Sequence, residues 1–180
     1  MEVIFVRHGE TQHNKLHQIM GQRIDDVLDP EGLHQAADLI AKLPNDATLI
    51  LSSPLKRALQ TAEIISRHLN VPVLSVDLLK ERDFGNLSGK TWEQINTDTR
   101  RDLHNLDENL KYDYRPYGGE SVVQVKARLV KFLDLIKSKY QTEKLIVVTH
   151  YGILMLLDQL YPQKKHEQLG NVSVHRYQIA

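Results

Sequence analysis

Four short runs of apolar, largely β-branched residues constrain the fold of this chain more than any other feature of its sequence. They span residues 3–6, 48–51, 71–76 and 144–149. Within each run the apolar character is continuous rather than alternating, which is typical of strands covered on both faces in a parallel sheet. We therefore expect helices on both faces of this sheet.

The segments between these runs carry helix start signals. Asp29 precedes Pro30, a pairing that suits the N-cap and first position of a helix, and this helix is predicted to continue to about Leu43. Further helices are predicted to begin at Pro54, near Ser121 and after Gly152. The alternation of strands and helices predicts an α/β fold, a three-layer α/β/α sandwich with a mostly parallel sheet.

One stretch of the chain departs from this alternation. Residues 90–117 are polar and charged, and we interpret them as a lid-like excursion within a single domain that spans residues 1–180. Three tyrosines of this stretch, Tyr112, Tyr114 and Tyr117, either pack on the domain itself or stack on an aromatic or nucleotide substrate.

The composition bears on the kind of partner and on location. The chain has 23 Lys and Arg against 23 Asp and Glu, so no overall field attracts it to nucleic acid or to an anionic membrane. It has no cysteine, which excludes disulfides, thiolate zinc sites and cysteine nucleophiles, and fits the cytoplasm. We expect no signal peptide, and the longest apolar stretches fall short of the ~20 residues of a membrane-spanning helix.

Three of the strand-like runs end abruptly at polar residues, His8, Ser53 and His150. The carboxyl ends of parallel strands share one edge of a sheet, where ligands bind in α/β folds, so we expect these side chains to meet there. Arg7 and Arg57 lie close by in sequence, and their forked guanidinium groups suit the oxygens of a phosphate ester. The sequence thus predicts a phosphate site.

His8 is the predicted nucleophile of this site. A neutral imidazole attacks through one ring nitrogen while a hydrogen bond holds the other. Gly9 follows it and can adopt backbone angles that other residues avoid, which would let the phosphate approach closely. His150 would donate a hydrogen bond to the phosphoryl oxygens as charge builds on them.

Glu81 is the candidate proton donor to the leaving group. A bound dianion pushes a neighbouring carboxyl toward its protonated form, as a general acid requires. The same carboxylate could then activate the water that hydrolyses a phosphorylated His8. The alternative is a surface ion pair with Arg82 or Lys80.

Four ordered motifs resemble the signatures of the histidine phosphatase superfamily, which includes the cofactor-dependent phosphoglycerate mutases. They are residues 7–11 with Asn14, residues 52–58, residues 81–89, and residues 118–121 followed by 148–150. The resemblance covers nearly the whole chain and implies a phosphoglycerate mutase-like fold and a phosphohistidine intermediate, without a metal or other cofactor. The residues it assigns are His8 as nucleophile, Glu81 as proton donor, and Arg7, Arg57 and His150 as the phosphate pocket. Asn14 would contact the phosphoryl group or the substrate near the entrance.

Two features favour a hydrolase over a mutase. The insertion between the third and fourth motifs is short, and Met20 stands where mutases tend to place a small hydroxyl residue against substrate. Tyr151, where many members have a small residue, and Gln22 are further candidates for substrate contact. We therefore predict a metal-independent phosphatase that acts on a small phosphorylated metabolite, as a monomer or a homodimer.

Two other functions stay open. A phosphoglycerate mutase would return the phosphoryl group to substrate, and a regulatory module would bind a phosphorylated partner without turnover. Intact His8 and Glu81 argue against the second, since a pure binder needs no proton donor.

Other polar residues invite weaker hypotheses. His13 and His17 have the spacing of a helical metal site but lack an acidic partner and the H-E-x-x-H arrangement. Ser53 lacks the Gly-x-Ser-x-Gly elbow of a serine hydrolase, and we expect it to cap the helix that follows. The histidines expected at or near the surface are His34, His68, His104, His166 and His175.

Overall fold

A five-stranded sheet forms the centre of the computed structural model, which describes residues 1–162 and 169–180. Its strands are β1 (Glu2–Arg7), β2 (Leu49–Ser52), β3 (Val73–Ser75), β4 (Leu145–Thr149) and β5 (Val174–Gln178). Their order across the sheet is β3-β2-β4-β1-β5. The pairs among β1 to β4 are all parallel, whereas β5 runs antiparallel to β1. The predicted mostly parallel sheet is confirmed.

The described residues contain seven α-helices and four short 3-10 helices. The α-helices are α1 (Gln12–Lys15), α2 (Pro30–Asp38), α3 (Lys56–Leu69), α4 (Trp92–Thr99), α5 (Leu103–Glu108), α6 (Val122–Lys139) and α7 (Tyr151–Leu160). The 3-10 helices are Leu39–Lys42, Asp77–Leu79, Gly85–Leu87 and Arg115–Tyr117.

Helices cover both faces of the sheet, as continuous apolar strands require. On one face Ile4 and Ile50 belong to a buried cluster that includes Ala62 of α3. On the other face Phe5 meets Phe132 of α6 edge to face, with ring centroids 6.4 Å apart. The outcome is the predicted three-layer α/β/α arrangement.

Two helices begin at residues other than those predicted. The amide of Ser53 still donates to the carbonyl of Val148 in the neighbouring strand, at 3.0 Å, and Leu55 is extended, so α3 begins only at Lys56. At the other site His150 is itself the extended N-cap residue, and α7 begins directly after it at Tyr151. Both helices therefore start at the carboxyl edge of the sheet.

Two further boundaries are corrected. The helix predicted to reach Leu43 is α-helical only to Asp38 and continues as the 3-10 helix Leu39–Lys42. The run predicted over residues 71–76 forms only the short edge strand β3.

The excursion over residues 90–117 contains α4 and α5 and packs on the rest of the protein. Tyr112 and Tyr114 are buried and stack on each other with ring centroids 5.0 Å apart, so they pack on the domain rather than stand free for a substrate. Trp92 contacts the ring of Phe84 edge to face at 5.8 Å.

The histidines outside the predicted site have varied surroundings. His13 Nδ1 lies 2.7 Å from a carboxylate oxygen of Asp26, and His17 lies beyond α1 with a left-handed φ of 54°, so the two do not share a helix face. His175, expected near the surface, is buried at 8% exposure. His166 lies outside the described residues.

Within residues 1–162 and 169–180, none of the helices combines the length and apolar character that crossing a bilayer requires.

Candidate active site

A small pocket opens at the carboxyl ends of β1 and β4, with a volume of about 130 Å³. Its lining includes six of the eight residues predicted for the site: Arg7, His8, Asn14, Arg57, Glu81 and Tyr151. His150 lies directly behind, with its ring centroid 5.1 Å from that of His8. Gln22 is not part of the lining, because its side-chain amide donates to the carbonyl of Glu81 at 2.8 Å and to Glu120 at 3.1 Å.

His8 is held as a neutral imidazole. It is only 3% exposed, and its Nδ1–H donates to the carbonyl of Gly9 at 2.7 Å, which leaves the lone pair on Nε2. Burial lowers the pKa of His8 well below its usual value, and the charges of Arg57 and Arg7 lower it further. A buried imidazole with a free Nε2 is equipped to act as a nucleophile.

Gly9 serves this geometry through its size rather than through a special backbone angle. Its φ is not in the left-handed region, contrary to the sequence-based expectation. A Cβ at this position would lie 2.5 Å from the carbonyl oxygen of Gly32, so a side chain would force Gly9 away from the first turn of α2.

His150 is completely buried and contacts Ser53. Its Nε2 lies 2.8 Å from Ser53 Oγ, and its Nδ1 has no partner among the described residues. Burial, the charge of Arg57 and the neighbouring His8 keep its pKa well below the usual value, so His150 is neutral as well. The side-chain cap of α3 that was expected from Ser53 is not formed.

Two arginines point their charge into the pocket. Arg57, the second residue of α3, donates to the carbonyls of Gly21 at 2.8 Å and Ile24 at 3.1 Å, and burial lowers its pKa to about 10. Arg7 donates to the carbonyl of Leu169 at 2.6 Å. Burial lowers the pKa of Arg7 too. Both arginines also carry a buried Nε–H without a partner among the described residues.

Glu81 is buried rather than in a surface ion pair. Its carboxylate accepts the backbone N–H of Arg82 at 2.8 Å and that of Gly152 at 3.1 Å, and the Arg82 guanidinium lies 3.3 Å away. Burial alone raises the pKa of Glu81, but the charge of Arg82, these two N–H donors and Arg57 outweigh it and hold the pKa below its usual value. A bound dianion is expected to raise the pKa of Glu81, whereas the protein's own donors and cations lower it.

Asp107 of α5 holds Arg82 in place. Arg82 Nε donates to Asp107 Oδ1 at 2.8 Å, and a second guanidinium N–H donates to Asp107 Oδ2. Tyr114 Oη also donates to Oδ1, at 2.7 Å. The excursion thus contributes a buried carboxylate behind Glu81. Sequence reasoning missed this pair, because nothing in the local pattern links Asp107 to an arginine 25 residues earlier.

The remaining predicted residues line the entrance. Asn14 Oδ1 accepts the backbone N–H of Thr11 at 3.2 Å in a capping box. Tyr151 Oη donates to the carboxylate of Glu108 at 3.2 Å, and burial raises its pKa to about 12, so it is a neutral donor. Met20 also lines the pocket and accepts a hydrogen bond from Thr11 at 3.5 Å.

One known protein family matches the chain over almost its whole length. The model of the histidine phosphatase superfamily (branch 1) matches residues 3–179. The chain belongs to this superfamily. The predicted family is confirmed.

Similar proteins include phosphatases from plants and bacteria. A metal-independent phosphoserine phosphatase of Arabidopsis thaliana is 36% identical over 85% of this chain, which spans only 65% of that enzyme's length. The uncharacterized phosphatase PhoE of Bacillus subtilis is 32% identical over 99% of this chain and 88% of its own.

Solved structures agree with the fold. A mycobacterial glucosyl-3-phosphoglycerate phosphatase, in complex with VO3, has a TM-score of 0.85 at 25% identity and covers 97% of this chain and 90% of its own. A phosphoglycerate mutase from Thermus thermophilus has a TM-score of 0.75 at 28% identity and covers 91% of this chain and 85% of its own. The matches confirm the predicted fold and support a phosphatase of the histidine phosphatase type.

Proposed function

We propose that this protein hydrolyses a small phosphomonoester through a phosphohistidine intermediate on His8, without a metal ion. The observation that carries the proposal is the pairing of a buried neutral imidazole with two buried arginines. Arg7 and Arg57 line the same pocket as His8, and guanidinium groups suit phosphate oxygens, so we expect both to bind an anion beside His8.

The first step is attack by His8 Nε2 on phosphorus. A new N–P bond forms while the ester P–O bond breaks, and the leaving oxygen takes a proton from Glu81. A bound dianion offsets the positive charges that hold Glu81 ionised, so its arrival raises the pKa of this carboxyl and favours uptake of that proton.

His150 stabilises the charge that builds on the phosphoryl oxygens. Its Nδ1 has no partner among the described residues, and it can donate only if the proton sits there. Ser53 selects this tautomer when its hydroxyl donates to His150 Nε2, 2.8 Å away. In this proposal Ser53 is a positioning residue.

The second step returns His8 to its starting state. Glu81, now ionised, takes a proton from water as the water oxygen attacks phosphorus and the N–P bond breaks. Inorganic phosphate leaves, and Glu81 passes its proton on to the next leaving group. The lowered pKa of Glu81 suits this second step, which needs a carboxylate.

The test is hydrolysis of a generic aryl phosphate in the presence of EDTA. We expect wild-type protein to release inorganic phosphate and His8→Ala to lose activity by at least about a thousandfold, the scale on which removing a nucleophile acts. His34→Ala, an exposed histidine of α2, is the matched control and should keep full activity. Activity abolished by EDTA, or full activity in His8→Ala, contradicts the proposal.

The same assay, run in parallel with a phosphoglycerate, separates the rival functions. A mutase isomerises a phosphoglycerate with little release of inorganic phosphate, and a binding module turns over neither compound. Phosphate release as the main reaction is the result expected here.

A further inference from the structure

The charges that line the pocket are balanced before any substrate binds. Three arginines, Arg7, Arg57 and Arg82, face three carboxylates, Glu81, Asp107 and Glu108. A phosphate dianion therefore leaves the occupied pocket with an excess of two negative charges, or of one when Glu81 is protonated. The rest of the substrate, the leaving group, must lie in this negative field.

None of the three arginines is left to bind a second anionic group. Arg82 is 3% exposed and is committed to Asp107 and Glu81. Arg7 and Arg57 are the ligands of the phosphoryl group in the proposed function. A carboxylate or second phosphate on the substrate would thus enter the pocket without a cationic partner, which is unfavourable.

Glu108 is the charged group at the mouth of the pocket. It lies at the end of α5 with its side chain 44% exposed, and its oxygens accept the Tyr151 hydroxyl at 3.2 and 3.3 Å. His104 Nε2 is 3.8 Å from one of these oxygens and its ring stacks on Trp92. A carboxylate that is partly exposed and keeps acceptor capacity toward solvent is suited to a cation.

We propose that the substrate is a phosphomonoester whose leaving group carries a protonated amine, and that Glu108 recognises this amine at the pocket mouth. This inference rests on the proposed function for the phosphate end of the pocket. It makes Glu108 a specificity residue, and it makes esters with a second anionic group poor ligands.

The test uses three two-carbon phosphomonoesters that differ in the charge of the leaving group: O-phosphoethanolamine, ethyl phosphate and phosphoglycolate. Their affinities for the His8→Ala protein are measured by calorimetry at about pH 8, where turnover is blocked, the amine is protonated and a free imidazole is uncharged. We expect O-phosphoethanolamine to bind about tenfold more tightly than phosphoglycolate, with ethyl phosphate between them, as a partly exposed carboxylate allows.

A second substitution in the same protein assigns the preference to Glu108. Glu108→Gln should reduce the ratio of the two affinities to about twofold, and Glu108→Lys should reverse it. Glu93→Gln, an exposed glutamate of α4 outside the pocket lining, is the control and should leave the ratio at about tenfold. Phosphoglycolate binding as tightly as O-phosphoethanolamine overturns the inference, and so does a preference that survives Glu108→Gln.

Hydrolysis of the same three esters by wild-type protein distinguishes a failure of this inference from a failure of the proposed function. Release of phosphate with a preference for phosphoglycolate would overturn the substrate class and leave the phosphatase standing. Binding in the expected order with no release from any ester or from an aryl phosphate would support the recognition by Glu108 and contradict the proposed hydrolysis.

Discussion

His8 and His150 share a property that decides how the site responds to pH. Burial and the charge of Arg57 lower the pKa of both imidazoles well below the usual value. A base with a lowered pKa stays neutral at a pH where a free imidazole is already protonated. The neutral form of His8, which the proposed mechanism requires, therefore persists below about pH 6.5, the pKa of a free imidazole.

This leads to a prediction about the pH profile. Between about pH 7 and pH 5.5, kcat/KM for an aryl phosphate should stay level or rise, because His8 remains neutral and Glu81 gains its proton more readily as the pH falls. Steady-state rates across this range check it. A fall with a midpoint near about pH 6.5 would show that His8 titrates like an exposed histidine.

At the level of single residues, the sequence predicted the polar groups that follow the parallel strands directly. His8, His150 and Arg7 lie at strand ends, so their positions follow from the sheet. The same logic predicted the wrong partner for Ser53, because a short polar side chain at a strand end can cap a helix or contact a neighbour. Only the packing of β2 beside β4 brings it to His150.

Among the elements, α5 has the closest link between stability and the site. Its Asp107 forms a buried pair with Arg82, whose guanidinium also lies over the ring of Phe84 at 4.8 Å. Removing one member of such a pair leaves a charge buried without its partner, which is costly.

Asp107→Asn is therefore expected to lower the free energy of unfolding by about 3 kcal/mol. The control is Asp98→Asn, which breaks the exposed pair between Asp98 and Lys90 at 2.7 Å and should cost under about 1 kcal/mol. Urea unfolding of both variants measures the difference. Equal costs for the two substitutions would mean that Asp107 does not anchor the excursion.

The excursion also marks a limit of prediction from sequence. Its polar composition indicated a segment outside the core, yet Ile95, Leu103 and Tyr114 are buried in the structure. These apolar residues are widely spaced among charged ones, and their common environment arises only when α4 and α5 pack together. The same packing brings Asp107 into contact with Arg82.

For the whole molecule, the sequence predicted the parallel part of the sheet because its strands are buried on both faces. It missed β5, where burial alternates: His175 and Tyr177 are buried, and Arg176 and Gln178 are exposed. An alternating pattern is typical of an antiparallel strand with one solvated face. The sequence therefore did carry a strand signal here, but one of alternating rather than continuous apolar character.

The whole fold serves one chemical event, which we propose to be transfer of a phosphoryl group to His8. Rapid chemical quench of wild-type protein with an aryl phosphate, followed by mass analysis of peptides under alkaline conditions, measures it most directly. We predict a phosphoryl adduct on His8 that forms and decays at rates compatible with turnover and is absent from His8→Ala. Steady release of phosphate with no adduct on His8, or an adduct on another residue, would contradict the account.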